Sequence, residues 1–305
     1  MKYNFDIKKF KLYIIIFCSI IMYAIITNLD SIFLNIFKIK NYNFIVTFEI
    51  IFQVLSIILS IIYGKLLYKK SIDELKIKFK NYIYGFLSIF IYFTLINASK
   101  VPLQLLNINI KNLSNVAKSI YSCFYELMII LIIIFINFNR LKKDFIDFKN
   151  NYKEYHKKYI KIWFLGLILM ILSNFIIIFI SNADLATNES TIREQLILNP
   201  FYIYISGVLF APIIEELVFR LSIRNIISND WLFIITSGII FGSMHVFGSE
   251  IVDLNQLLYL IPYSSFGMCF AYMLCKSKNY FVSVSFHLLH NAILINFLIF
   301  QLLYL

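Results

Sequence analysis

The chain is 305 residues long, 60% hydrophobic and only 15% charged, with a mean hydropathy of +0.79 and a formal net charge of +11. Soluble domains carry roughly 25% charged and about 45–50% apolar residues, so a water-soluble globule is excluded. A nucleic-acid reader is excluded too, because the Lys and Arg residues fall in short clusters between apolar runs and no soluble stretch is long enough to present a basic face.

A helix of about 20 apolar residues crosses a bilayer. Nine segments meet that length, near 12–28, 44–67, 82–98, 116–138, 160–181, 199–219, 231–249, 255–275 and 280–303. With eight Gly and four Pro in the whole chain, breakers are few and long helices are expected. The fold class is therefore all-α, a polytopic transmembrane bundle of about eight to nine spans. The first span follows Lys8, Lys9 and Lys11 like a signal peptide, but no small-x-small cleavage site follows it, so it is read as retained.

Charge sets the orientation. Four Lys precede the first span, six lie in the 65–81 loop and eight Lys or Arg in the 139–161 loop; Arg220, Arg224, Lys276 and Lys278 complete 22 of the 28 basic residues, all in alternate loops. The opposite loops carry Asp184, Glu189 and Glu194 against Arg193, then Glu250 and Asp253 without a base. The positive-inside rule then puts the N-terminus in the cytoplasm and the C-terminus outside, making the chain a multi-pass protein of the cell membrane. The segment 99–118, with Lys100, Lys111 and Lys118 on the outer side, reads as an interfacial helix. The basic loop divides the chain into an N-terminal region, 1–160, and a C-terminal region, 161–305. The four cysteines (Cys18, Cys123, Cys269, Cys275) show neither CxxC nor a zinc spacing and read as small buried hydrophobes.

Ionisable residues inside a span are costly, and each is a functional hypothesis. Glu49 and Glu126 stand alone in the N-terminal spans and read as hydrogen-bonding groups of the bundle. The C-terminal spans hold a pattern: Ala211-Pro212-Ile213-Ile214-Glu215-Glu216 ending at Arg220, then Phe241 through His245, then His287 through Asn291. Glu216 and Arg220, four apart, share a helix face and can pair. Glu215, about 100° round the helix, is left as the free carboxylate. Pro212 is expected to kink the helix just before the acidic pair. Gly238 and Gly242 give the next helix a small face for close approach, on the same stripe as His245. Taken one at a time, the acidic pair could be a structural salt bridge and each histidine a helix–helix hydrogen-bonding residue; the joint pattern favours catalysis.

Glu-Glu-x-x-x-Arg, Phe-x-x-x-His and His-x-x-x-Asn in this order on successive helices resemble the motifs of the CAAX-protease and bacteriocin-processing (CPBP, or ABI) family, over about 200–295. Leu221 stands where many members have Gly. The resemblance implies an intramembrane endopeptidase with Glu215, Glu216, Arg220, His245, His287 and Asn291 as catalytic residues. Glu215 with His245 would activate a water, and His287 with Asn291 would hold the developing oxyanion; His290 lies outside the pattern and reads as a bystander. Such chemistry needs a positioned base and donors aimed at the tetrahedral oxygen. No cofactor is expected, although a carboxylate with His245 and His287 could instead bind zinc and leave one position for water. The expected partners are the bilayer and a peptide or protein substrate reaching the membrane from the cytoplasm. That substrate could be a prenylated CAAX peptide or a bacteriocin leader. Two other classes stand beside this one: a non-catalytic immunity or partner-docking module, and a transporter, against which no inverted repeat is visible.

Overall fold

The structure, a computed structural model, describes residues 72–181, 186–247 and 254–304. The spans expected at 12–28 and 44–67, and Glu49, lie outside them. All regular structure among the described residues is helical. The first helix, α1 (Ile72–Asn97), belongs to one compact unit; Ser99–Arg224 together with Ser228–Leu305 forms a second, which carries every motif residue named above. Between 99 and 118 there are short helical turns, of which Val101–Leu105 is the longest.

In the second unit, α2 (Asn115–Ile136) starts at Ser114, whose hydroxyl accepts from the Ala117 N–H at 3.2 Å. A single 44-residue helix follows, α3 (Phe138–Ser181). The expected 139–161 loop is thus helical, and the expected boundary at 160/161 falls inside α3. The reason is local: the stretch contains neither Gly nor Pro, and Lys and Arg are good helix formers. Its apolar and small polar residues also recur at helical spacing, so Leu141, Asp144, Tyr159 and Trp163 form one buried stripe. The opposite side changes character abruptly. Lys149, Lys153, Lys157 and Lys161 follow each other at i,i+4 and are exposed; past them the exposed residues are Phe164, Ile168, Leu172, Phe175 and Phe179. Apolar side chains facing outward over this length mark the part of α3 that lies in hydrocarbon, and Lys161–Phe164 marks its edge.

The short helix α4 (Thr187–Leu198) was not expected as an element; Glu189 and Arg193 pair across one of its turns at 2.7 Å. Then come α5 (Pro200–Ile226), α6 (Asp230–Phe247), α7 (Leu260–Ser277) and α8 (Tyr280–Tyr304). Each of the seven spans expected within the described residues coincides with a helix, six of them long and apolar enough to cross a bilayer, whereas Asp230–Val246 of α6 is shorter.

The basic turns gather at one end of the unit. Asp230 at the start of α6 binds Arg224 at 2.8 Å and Lys276 of α7 at 3.2 Å. Asn279, in the turn between α7 and α8, donates to the Asp144 carbonyl and to Asp147 Oδ2, both at 2.7 Å, and so docks that turn on α3. Lys278 adopts the left-handed conformation (φ 57°) that lets the chain reverse there. From this anchor α8 runs alongside α3, with Phe286 beside His156 and His290 beside Trp163.

Candidate active site

The site is built on α5, and α5 is not a regular α-helix. Residues Ser206–Phe210 and Glu216–Ser222 are π-helical, with an α-helical turn, Ala211–Glu215, between them. Such i→i+5 segments are rare and concentrate at functional sites. The expected kink at Pro212 thus takes the form of a π segment placed just before it. The Ala211 N–H bonds to the Ser206 carbonyl, one residue further back than in an α-helix. Carbonyls along α5 receive side-chain donors from other helices. The Asn291 amide donates to Gly207 O at 2.8 Å, the Tyr280 hydroxyl to Ile213 O at 3.0 Å, and the Ser237 hydroxyl to Phe219 O at 2.5 Å.

The second π segment is buried along its whole length. Glu216 and Arg220, both 0% exposed, pair within it, with Arg220 Nε 3.2 Å from Glu216 Oε1. The guanidinium also reaches Gly267 O at 3.4 Å and lies 4.1 Å from the centroid of the Phe241 ring and 5.7 Å from that of Phe270. A cation so enclosed is held by its carboxylate and by aromatic faces, and loss of one partner would strand the other. The expected ion pair is present, and it survives the wider π turn because the two side chains point along the same stripe.

His287 of α8 lies between the two glutamates. Its Nδ1 is 3.0 Å from Glu216 Oε1, and its Nε2 is 3.5 Å from Glu215 Oε2. The ring stacks on Phe270 with centroids 4.4 Å apart. Glu215, expected to work with His245, therefore has His287 as its closest described imidazole partner. His245 is held differently: its Nδ1 lies 2.9 Å from the Phe241 carbonyl of its own helix, and its ring stacks on Tyr263 at 4.8 Å. A carbonyl only accepts, so Nδ1 carries the proton and, in the neutral ring, Nε2 presents a lone pair. His290, the expected bystander, is buried against Phe266 and is part of the packing.

The glycine face on α6 does what its spacing suggested. A Cβ on Gly238 would meet the Ser264 carbonyl at 2.9 Å, and one on Gly242 the Ser264 N at 2.8 Å, so α6 and α7 touch backbone to backbone there. Gly267 on α7 completes the crossing, its Cβ position 3.2 Å from Gly238 Cα. This closeness brings Phe241 and the Gly267 carbonyl onto the Arg220 guanidinium.

Tyr263, Phe270, Tyr280 and Ser237 were not singled out in the sequence. Aromatic and small hydroxyl residues are common in spans and carry no motif, and a freed carbonyl leaves no mark in the sequence. Pro212 was the available signal, since a missing N–H implies a carbonyl in search of a donor. Among the described residues, no group of three His, Cys, Asp or Glu side chains is placed to hold a metal ion.

Glu126 of α2 stands at the first π segment. It accepts from the Tyr202 hydroxyl at 2.9 Å and from Ser206 at 3.0 Å.

Residues 197–293 match the family model described as Type II CAAX prenyl endopeptidase Rce1-like. That segment contains all six candidate residues and agrees with the resemblance to the CPBP family. An uncharacterized protein of Mycoplasma capricolum subsp. capricolum is 25% identical over 96% of this chain and 90% of its own length. No solved structure matches. The C-terminal segment is thus similar to CAAX-type prenyl endopeptidases, within a multi-pass all-α membrane protein.

Proposed function

We propose that the chain is an intramembrane endopeptidase that hydrolyses a peptide bond by a water activated at Glu215, without a metal. The observation that carries this reading is the placement of His287 between Glu216 and Glu215, with a carboxylate oxygen facing each ring nitrogen. Glu216, neutralised by Arg220, accepts the Nδ1 proton and so fixes the ring's orientation, as the buried carboxylate does in other carboxylate–histidine pairs. Nε2 then faces Glu215. Two lone pairs would repel, so one proton is shared between them.

The chemistry follows from that proton count. The Glu215 carboxylate takes a proton from water as the hydroxyl oxygen attacks the scissile carbonyl carbon, and the carbonyl electron pair moves to oxygen. The His287 Nε2 proton turns to the new oxyanion, and the bare His245 Nε2 is suited to orient the water by accepting its second hydrogen. Collapse re-forms the carbonyl, breaks the C–N bond and delivers the Glu215 proton to the leaving amine. The products are a carboxylic acid and an amine, and Glu215 is returned to its starting state. The substrate class is a membrane-associated peptide or protein approaching from the basic, cytoplasmic end. The Rce1-like match favours a C-terminal CAAX-type peptide.

Purified protein is assayed on quenched-fluorescent peptides with and without a prenyl group, in the presence and absence of a strong chelator. Cleavage that persists in chelator and drops at least about 10³-fold in Glu215→Gln is expected. Loss to chelator with recovery on added zinc defeats the metal-free mechanism, and equal cleavage of prenylated and plain peptides removes the CAAX preference. A wild-type protein inert on every peptide leaves the immunity module in its place.

A further inference from the structure

Asn291 falls on the family's histidine–asparagine motif, yet its described partner is neither glutamate but a main-chain oxygen nine residues before Glu216. The reason lies in α5. A helical carbonyl is bonded by the N–H four residues on, or five in a π turn. For Gly207 the first of these is Ala211, whose N–H is taken by the Ser206 carbonyl, and the second is Pro212, which has none. No helical donor remains for Gly207 O. In a membrane an unbonded carbonyl is strongly disfavoured, and tolerated breaks are those that a neighbouring side chain satisfies. Asn291 Nδ2 fills that place at 2.8 Å.

The packing around the bond makes it a locating contact. Gly207 has no side chain, and a Cβ there would lie 2.6 Å from Ile295 Cδ1. His287, Asn291 and Ile295 succeed each other at i,i+4 on one face of α8. That face therefore meets α5 at the glutamates through His287 and at the first π segment through Asn291 and Ile295. On its other side the same segment is tied to α2, through Ser206 and Glu126.

We infer that Asn291 is a positioning residue: its amide replaces the main-chain donor that Pro212 removes, and the bond sets the height of α8, and so of His287, against the two glutamates on α5. This rests on the endopeptidase reading for its effect on rate, but the bond itself does not. Pro212 and Asn291 form a matched pair, one creating the vacancy in the hydrogen-bond ladder and the other filling it.

The matching can be tested by a cycle of Asn291→Ala, Pro212→Ala and the double variant, each purified in detergent and followed by kcat, KM and thermal unfolding. An alanine at 212 restores an N–H five residues after Gly207. Asn291→Ala alone should lower kcat by about 100-fold, the scale of a small misplacement of catalytic groups, with little change in KM. Pro212→Ala alone should stay within about threefold of wild type, and the double variant should return to that level, because the two changes are coupled. Asn291→Asp, which keeps the shape but loses the donor, should fall with Asn291→Ala and be rescued in the same way. A double variant as slow as Asn291→Ala would overturn the inference and assign Asn291 to the oxyanion. So would a Pro212→Ala protein that is inactive by itself, since the ring should be dispensable. If no variant and no wild-type protein cleaves any peptide, the cycle in unfolding temperature still decides: a non-additive gain in the double variant supports the positioning bond while the endopeptidase reading falls, and strict additivity overturns the bond.

Discussion

The two π segments of α5 solve one problem in opposite ways. In each, a side chain from a neighbouring helix donates to a main-chain carbonyl of the wider turn. At Ser206–Phe210 only Val208 is buried, and the ties to neighbouring helices are single hydrogen bonds: the Asn291 amide on Gly207 O, and the Ser206 hydroxyl on the Glu126 carboxyl. At Glu216–Ser222 every residue is buried, Ser237 holds Phe219 O, and the segment also contains a full ion pair. A membrane helix thus tolerates irregular backbone wherever neighbours complete its hydrogen bonds. Only the more tightly enclosed of the two segments carries charge, because a dry pair is held by geometry that a loose site could not maintain.

The contrast is broken most directly at the ion pair. Glu216→Gln should destabilise the protein by about 3–5 kcal/mol, because Arg220 is left buried without its carboxylate. Arg220→Ala should match it, and the double variant should be no worse than either, measured as detergent unfolding midpoints in a double-mutant cycle. Additive losses would show that the two side chains act separately. A smaller effect is expected at Ser237→Ala, which removes the buried hydroxyl donor to the Phe219 carbonyl: about 0.5–1.5 kcal/mol of stability and a modest fall in kcat. If unfolding is unchanged, the second segment does not need its donor. The smallest effect belongs to the first segment. Glu126→Gln keeps an oxygen that can accept from Tyr202 and Ser206, so stability should change by less than about 0.5–1 kcal/mol and cleavage by no more than a few-fold. A large loss of activity there would give the first segment a chemical task and erase the distinction.

The spans inside the described residues were legible in the sequence because bilayer thickness imposes one length on every apolar run. The Glu216–Arg220 pair and the glycine face of α6 were legible for a similar reason, as each depends on spacing along a single helix. The partner of Glu215 was not. Whether His245 or His287 faces it depends on how three helices cross, and the close approach at Gly238, Gly242 and Gly267 sets that crossing. The helical state of 139–161 was masked by its charge, since the same lysines that signal a cytoplasmic segment are good helix formers. Asn291 shows the opposite limit, a motif residue whose described bond is to a backbone atom that no side-chain pattern encodes.

The edge of hydrocarbon on α3, between Lys161 and Phe164, has a consequence for the supply of the second reactant. Trp163 lies at that edge and packs against His290, so His287, almost one turn earlier on α8, stands on the lysine side of it. Hydrolysis consumes one water for every bond cut, and the interior of a bilayer holds almost none. In the proposed mechanism, a base about one helical turn from the aqueous boundary would be rewetted after each turnover without a channel across the membrane. Past that edge α3 continues alongside α8, so one side of the shallow position is covered by protein rather than by lipid headgroups.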